Sequence, residues 1–111
     1  MNRNRLIDAF ASNIANVVVH KVLEKAINSP EIIRVYSKEI KNSFTIAKNY
    51  RNKINPSDRA LPLHDMRGLK QKIIIKAKAE LNLRVEKGYK NIDLSLVAEY
   101  VDDLLEELNI V

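Results

Sequence analysis

The sequence predicts an all-α protein, an antiparallel bundle of about four helices formed by a single domain over residues 1–111. Apolar residues recur every three or four positions in four successive segments, which is the period of amphipathic helices. The chain has only two glycines and three prolines, so it has few points at which to turn. With 46% apolar and 30% charged residues, it has the composition of a folded globular domain.

The first helix is predicted over residues 4–28. Its apolar residues follow the helical period from Leu6 to Val18, and the stripe then rotates to Val19, Val22 and Leu23. A helix with two apolar faces usually lies deep in a bundle or contacts a second subunit. Both interpretations remain open from the sequence.

The second helix is predicted over residues 30–53. Ser29 suits the N-cap, Pro30 suits the first helical position, and Glu31 complements the positive end of the helix dipole. The inward face is apolar and aromatic: Ile33, Tyr36, Ile40, Phe44, Ala47, Tyr50 and Ile54. The opposite face is basic and polar: Arg34, Lys38, Lys41, Thr45 and Lys48.

The third helix is predicted over residues 65–87, although a strand is the alternative for residues 72–86. Apolar residues alternate with mostly polar ones from Ile73 to Val85, which is typical of a strand. The same segment also has a helical apolar face and is rich in strong helix formers. A strand of this length would be unusual, and no other segment reads as its partner. Asp65 is the expected N-cap and Gly88 the expected C-cap.

The fourth helix is predicted over residues 93–109, with Asn91 or Asp93 as its cap. Its apolar stripe runs from Leu94 to Leu108. The opposite face is acidic: Glu99, Asp102, Asp103, Glu106 and Glu107.

The segment between the second and third helices contains Arg59 and His64 with four residues between them. This spacing resembles the arginine–histidine motif of HEPN-type ribonucleases, which are small helical bundles that often dimerise. The resemblance implies that Arg59 would stabilise charge and His64 would transfer protons during cleavage of RNA. It covers six residues, with Ala60 where those proteins often have a polar residue and Pro62 inside the motif. The alternative is a loop arginine beside a helix-capping pair formed by His64 and Asp65.

Other chemistry is absent from the sequence. Without cysteine, the chain can form no disulfide, thiolate nucleophile or cysteine-ligated metal site. Its two glycines cannot supply a glycine-rich phosphate loop. His20 has Asn16 and Glu24 at helical spacing, a poor metal-ligand set, so we expect a surface histidine. We therefore predict a protein that is not an enzyme and has no cofactor or metal.

Charge is divided unevenly along the chain. Residues 1–90 carry 19 Lys and Arg against 8 acids, a net of +11, and residues 91–111 carry six acids and no Lys or Arg, a net of −6. The first hypothesis is a nucleic-acid-binding module that contacts phosphates through the second and third helices. The candidate contacts are basic: Arg34, Lys38, Lys41, Lys48, Arg67, Lys70 and Lys76.

The alternative hypothesis is a protein–protein adaptor or homo-oligomeric assembly subunit that uses the first helix and the acidic last helix. In either case we expect a cytoplasmic protein with no membrane partner, because no unbroken apolar run approaches the roughly 20 residues that span a bilayer.

Tyr36, Phe44 and Tyr50 fall on the inward face of the second helix, which predicts packing rather than base stacking.

Overall fold

The computed structural model describes residues 3–54 and 63–108, without the side chains of residues 63–67. The all-α prediction is confirmed, since the described residues contain no strand and the helix bounds agree with the sequence-based ones to within three residues. The four helices are α1 (Arg3–Ala26), α2 (Pro30–Ile54), α3 (Leu63–Glu86) and α4 (Leu96–Glu107).

Helix α1 is the centre of the bundle. It packs against α2, α3 and α4, and α3 also packs against α4. From Phe10 to Leu23, residues on nearly every side of α1 are buried, including Ile14 and Val18 at zero exposure. Three helices around α1 therefore account for both of its apolar faces within one chain, without a second subunit.

Helix α2 lies on α1 with a half-buried inward face. Ala47 and Ile54 are buried, while Tyr36, Ile40, Phe44 and Tyr50 are partly buried against the core. The N–H of Ile33 donates to the Ser29 carbonyl at 3.0 Å, so the first turn closes on the serine expected at the N-cap. The tyrosines and phenylalanine of the inward face thus pack as predicted.

A row of polar contacts joins α1 to α2. Residues four apart on α1 each meet α2. The first of them meets a later part of α2 than the other two, which fits antiparallel helices. Asn16 Nδ2 donates to Ser43 Oγ at 2.7 Å, the His20 and Tyr36 ring centroids lie 5.2 Å apart, and Ser37 Oγ donates to Glu24 Oε1 at 2.8 Å. His20 Nδ1 also donates to the Asn16 carbonyl at 2.7 Å.

The expectation that His20 lies on the surface is wrong. His20 is only 9% exposed, because α2 covers the flank of α1 that the sequence marked as polar. The polar residues on that flank satisfy one another across the helix interface. The α2 residues that these side chains meet could not be identified from the spacing within α1 alone.

Helix α3 settles the strand alternative in favour of a helix. Ile73, Ala77 and Leu81, spaced four apart, have zero exposure, whereas the intervening Ile75 is 65% exposed and Leu83 is 49% exposed. The period-two alternation therefore does not correspond to one buried face. Gly88 follows the helix with a φ of +98°, as expected of a C-cap glycine.

Helix α4 begins three residues later than predicted. The Asp93 carboxylate accepts from the N–H of Ser95 at 3.0 Å and from its hydroxyl at 2.6 Å, which closes a turn just before the helix. The prediction that Asn91 or Asp93 caps α4 is wrong, since Ser95 is the N-cap and makes no side-chain capping hydrogen bond. Asp93 closes the turn that precedes it. Asn91 instead has a positive φ of 66° in the preceding segment.

A buried arginine of α2 forms a hydrogen bond with the C-terminal end of α4. Arg51 is 3% exposed, and its Nε donates to the carbonyl of Leu108, the C-cap of α4, at 2.7 Å. A cation at this position complements the negative end of the α4 dipole. Since the last turn of α4 contains no basic residue, α2 supplies the charge that α4 lacks.

Helix α1 is, within the described residues, long and apolar enough to cross a membrane by length and composition. Core helices of soluble proteins pass the same test, and 56% of its most apolar window is buried inside the bundle. The central position of α1 is a sufficient physical reason for its apolar composition.

Candidate functional site

Four basic residues of α2, Arg34, Lys38, Lys41 and Lys48, form a line that we call the basic stripe. Arg34, Lys41 and Lys48 are seven residues apart, close to two helical turns, so successive side chains deviate by only about 20° around the helix. At about 1.5 Å per residue the stripe is about 21 Å long. It therefore covers about half of the 41 Å length of the molecule.

The basic stripe is exposed and free of carboxylate partners. All four residues are exposed, and none is within ion-pair distance of a carboxylate in the part of the chain that the structure describes. Lys41 lines a hollow of about 200 Å³ whose other walls include Lys21 and Glu107. The stripe thus lies on the flank of α2 nearer to α4.

The basic residues of α3 are placed differently. Lys70 Nζ lies 2.5 Å from Asp102 Oδ1 of α4, and Lys72 pairs with Asp8 of α1. The hydrogen bond and charge of Lys72 lower the pKa of Asp8 below its ordinary value of 3.8. Two of the α3 cations are therefore engaged within the bundle.

The two predicted groups of cations do not form one continuous surface. Among the described residues, no Cα atom of α2 lies within 8 Å of a Cα atom of α3. Lys76 lies in a groove between α1 and α3 with Glu80 beside it, away from the basic stripe. The Arg67 side chain lies outside the described residues. Of the seven residues proposed from the sequence, the four on α2 are brought together.

Helix α4 carries the negative surface. Its five acidic residues, predicted as one face, are all exposed. The pKa of Tyr100 is raised above 10.0, first by burial and then by carboxylates, of which Glu99 has the largest effect. Lys21 Nζ lies 5.6 Å from the Tyr100 ring centroid. The sign of the surface charge therefore changes between the basic stripe and α4.

A groove of about 490 Å³ runs along α1. Ser12, Ala15 and Val19 form its α1 side, and Ala79 and Glu80 belong to its α3 side. Asn16, which also borders the groove, is already hydrogen-bonded to Ser43. Ser12 lines the same groove as Lys76 and Glu80, and among the described residues no hydrogen bond joins the Ser12 hydroxyl to either side chain.

The ribonuclease-like pair falls largely outside the structure described. Arg59 lies outside the described residues, and His64 lies in α3 with its side chain also outside them. Within the described residues, no group of three His, Asp or Glu side chains could hold a metal ion. The prediction that the chain is not an enzyme stays a prediction.

Sequence reasoning missed two arginines with structural roles. Arg51 falls in the inward register of α2, between Ala47 and Ile54, and that register was the available signal. Arg84 lies beside Tyr89, with the Arg84 Cζ atom 5.9 Å from the ring centroid. The sequence signal available for this contact was Gly88, the expected C-cap, which directly precedes Tyr89.

Comparison with protein-family models, with curated proteins and with solved structures gave no match to this chain.

Proposed function

We propose that this chain is a non-enzymatic binding module that contacts nucleic-acid phosphates through the basic stripe of α2. The observation that carries the proposal is the alignment of four exposed cations that have no carboxylate partner among the described residues. The α3 cations contribute less, because Lys70 and Lys72 are already paired. The proposed phosphate-binding surface is thus reduced from the two helices predicted from the sequence, α2 and α3, to α2 alone.

The length of the basic stripe suits a phosphate backbone. Successive phosphates of one strand are about 3.4 Å apart along the axis of a duplex. A stripe of about 21 Å therefore spans about six of them. Four cations can therefore each meet a phosphate. Affinity varies with roughly the −0.9 power of salt concentration per contact. Counterion release at each contact therefore raises the affinity about eightfold when the salt is lowered from about 1 M to about 100 mM.

The test is the affinity of labelled DNA and RNA for a variant with the basic stripe reversed, Lys38→Glu, Lys41→Glu and Lys48→Glu. Losing three contacts should weaken binding at least about 500-fold at about 100 mM salt, and the new negative charges add repulsion. Fluorescence anisotropy measures this directly. Thermal unfolding checks that the variant keeps its fold, as expected for exposed positions.

The matched control reverses three exposed lysines outside the stripe, Lys25→Glu, Lys53→Glu and Lys78→Glu. Both variants have the same net charge, so the comparison separates the local surface from general electrostatic attraction. The control should retain much tighter binding than the stripe variant. If the two variants lose affinity equally, the assignment of binding to the stripe is wrong.

A second candidate function is a protein–protein adaptor or homo-oligomeric assembly subunit. The exposed acidic face of α4 favours it, as do large apolar side chains exposed by 41–65% on α2, on α3 and just after α3. Helix α1 offers a partner less exposed apolar surface than the sequence suggested, because its central residues are buried in the bundle. A partner would therefore meet α4 or the exposed apolar residues.

Light scattering over a range of protein concentrations tests the second candidate. The adaptor hypothesis predicts a dimer or larger assembly that Asp103→Lys and Glu106→Lys disperse, since both residues are exposed on α4. A monomer at all concentrations counts against self-assembly. It leaves the phosphate-binding proposal intact, because the basic stripe lies within one chain.

A further inference from the structure

The turn after α3 fixes the backbone of an aromatic residue. Gly88 has a φ of +98°, the Gly88 N–H donates to the Val85 carbonyl at 3.0 Å, and the Tyr89 N–H donates to the Arg84 carbonyl at 3.0 Å. These paired bonds are the Schellman motif, which turns the chain back over the end of its helix. Tyr89 is therefore positioned by the backbone and not only by its own contacts.

Tyr89 combines exposure with a cation beside its ring. It is 41% exposed and is the one aromatic residue among the large exposed apolar side chains of the described chain. The Arg84 Cζ atom lies 5.9 Å from the ring centroid. Arg84 Nε is buried and has no hydrogen-bond partner among the described residues. The guanidinium is thus held near the ring rather than committed to a carboxylate.

The surroundings of Tyr89 are basic. Lys87 and Lys90 are exposed on either side of the turn, and neither is within ion-pair distance of a carboxylate in the described ranges. Tyr36 lies at the same end of the molecule: its pKa is raised mainly by burial, further by Tyr89, and is lowered by Arg84. An exposed ring with basic residues next to it in the chain combines the two elements of single-stranded nucleic-acid binding sites, an aromatic stacking surface and cations for the backbone.

We propose that Tyr89, with Arg84, Lys87 and Lys90, binds an unpaired nucleobase and its flanking phosphates. The base stacks on the Tyr89 ring while the two lysines meet the phosphates on either side. Bases inside a duplex are stacked on one another, so their faces are not available to the ring. This inference rests on the proposed function and specifies its ligand as single-stranded nucleic acid.

The first test compares single-stranded oligothymidylate of about 12 nucleotides with the duplex it forms with its complement. Tyr89→Ala should weaken single-strand binding about 5- to 150-fold, the range found for loss of one stacked base, and leave duplex binding unchanged. Tyr89→Phe keeps the ring and should bind as the unmodified chain does. Leu83→Ala, which removes an exposed apolar side chain of α3 shortly before the turn, is the matched control and should have no effect.

The second test uses fluorescence. The chain has no tryptophan, so Tyr89→Trp introduces a single one, and stacking of a thymine should quench its emission. An abasic oligonucleotide of equal length should bind through its phosphates without quenching. Quenching by both oligonucleotides equally overturns the stacking proposal.

The outcomes distinguish this inference from the proposed function. If nucleic acid binds through the basic stripe while Tyr89→Ala has no effect on single strands, only the stacking site is refuted. If the unmodified chain binds neither single strands nor duplex at low salt, the proposed function fails and the stacking site fails with it.

Discussion

Two isoleucines of α3 test the helical register of this segment, because a helix and a strand place them differently. In the structure Ile73 has zero exposure and Ile75 is 65% exposed. In a strand the two side chains would lie on the same face and be buried alike. Replacing each by alanine in turn therefore measures which geometry the chain adopts in solution.

The expected costs differ severalfold. Ile73→Ala should lower the free energy of unfolding by about 2–5 kcal/mol, since it removes buried methyl groups and leaves a cavity. For a chain of this size that is a fall in Tm of roughly 8–20 °C. Ile75→Ala should change the free energy by no more than about 0.5 kcal/mol, since the position is mostly exposed and alanine is the better helix former.

Urea unfolding followed by circular dichroism at 222 nm measures both variants. The slope of the free energy with urea should stay the same, so that the midpoints alone report the difference. Equal destabilisation by the two substitutions would refute the helical register, because it would mean that both side chains are buried on one face.

Three further outcomes follow from particular contacts. Arg51→Met removes the donor to the buried Leu108 carbonyl, and urea titration should show a loss of about 1–3 kcal/mol; an unchanged midpoint would contradict this role. Gly88→Ala places a side chain at a φ of +98°, where open space leaves only the backbone cost, so unfolding should become easier by about 1–2 kcal/mol; no loss would mean that the turn tolerates alanine. Lys72→Ala should raise the pKa of Asp8 toward 3.8, as followed by NMR titration. Because the folded pKa is the lowered one, the stabilisation from this pair is present above that ordinary value and is lost as the pH falls through the folded pKa; an unshifted titration would show that the pair does not form in solution.

Much of the fold could be predicted because it depends on local signals. The helical period gave all four helices, and Ser29, Pro30 and Gly88 marked boundaries that the structure confirms. The strand-like alternation in α3 misled only in part, since Leu, Ala, Lys and Glu favoured the helix that is observed. Local pattern and local propensity agree nearly everywhere in this chain.

The tertiary arrangement could not be predicted in the same way. The sequence left open whether the two apolar faces of α1 met other helices of the chain or a second subunit, and the packing of three helices around α1 answers that question. The burial of His20 depends on where α2 crosses α1, and no spacing within α1 contains that information.

The candidate site also has one feature that local sequence predicts and one that depends on tertiary contacts. The alignment of the basic stripe is a property of one helix, so the spacing of Arg34, Lys41 and Lys48 was sufficient to predict it. The pairing of Lys70 with Asp102 and of Lys72 with Asp8 joins residues distant in sequence, so composition could not separate engaged cations from free ones. That separation is what moves the proposed surface to α2.

The salt dependence of nucleic-acid binding tests the proposal that the basic stripe binds phosphates most directly. Four phosphate contacts predict a slope of log affinity against log salt concentration of about −3.6 on duplex DNA. The neutral variant with Lys38→Gln, Lys41→Gln and Lys48→Gln should reduce the duplex slope to about −0.9. A slope that stays the same in this variant would contradict the account, because the phosphates would then be bound elsewhere on the molecule.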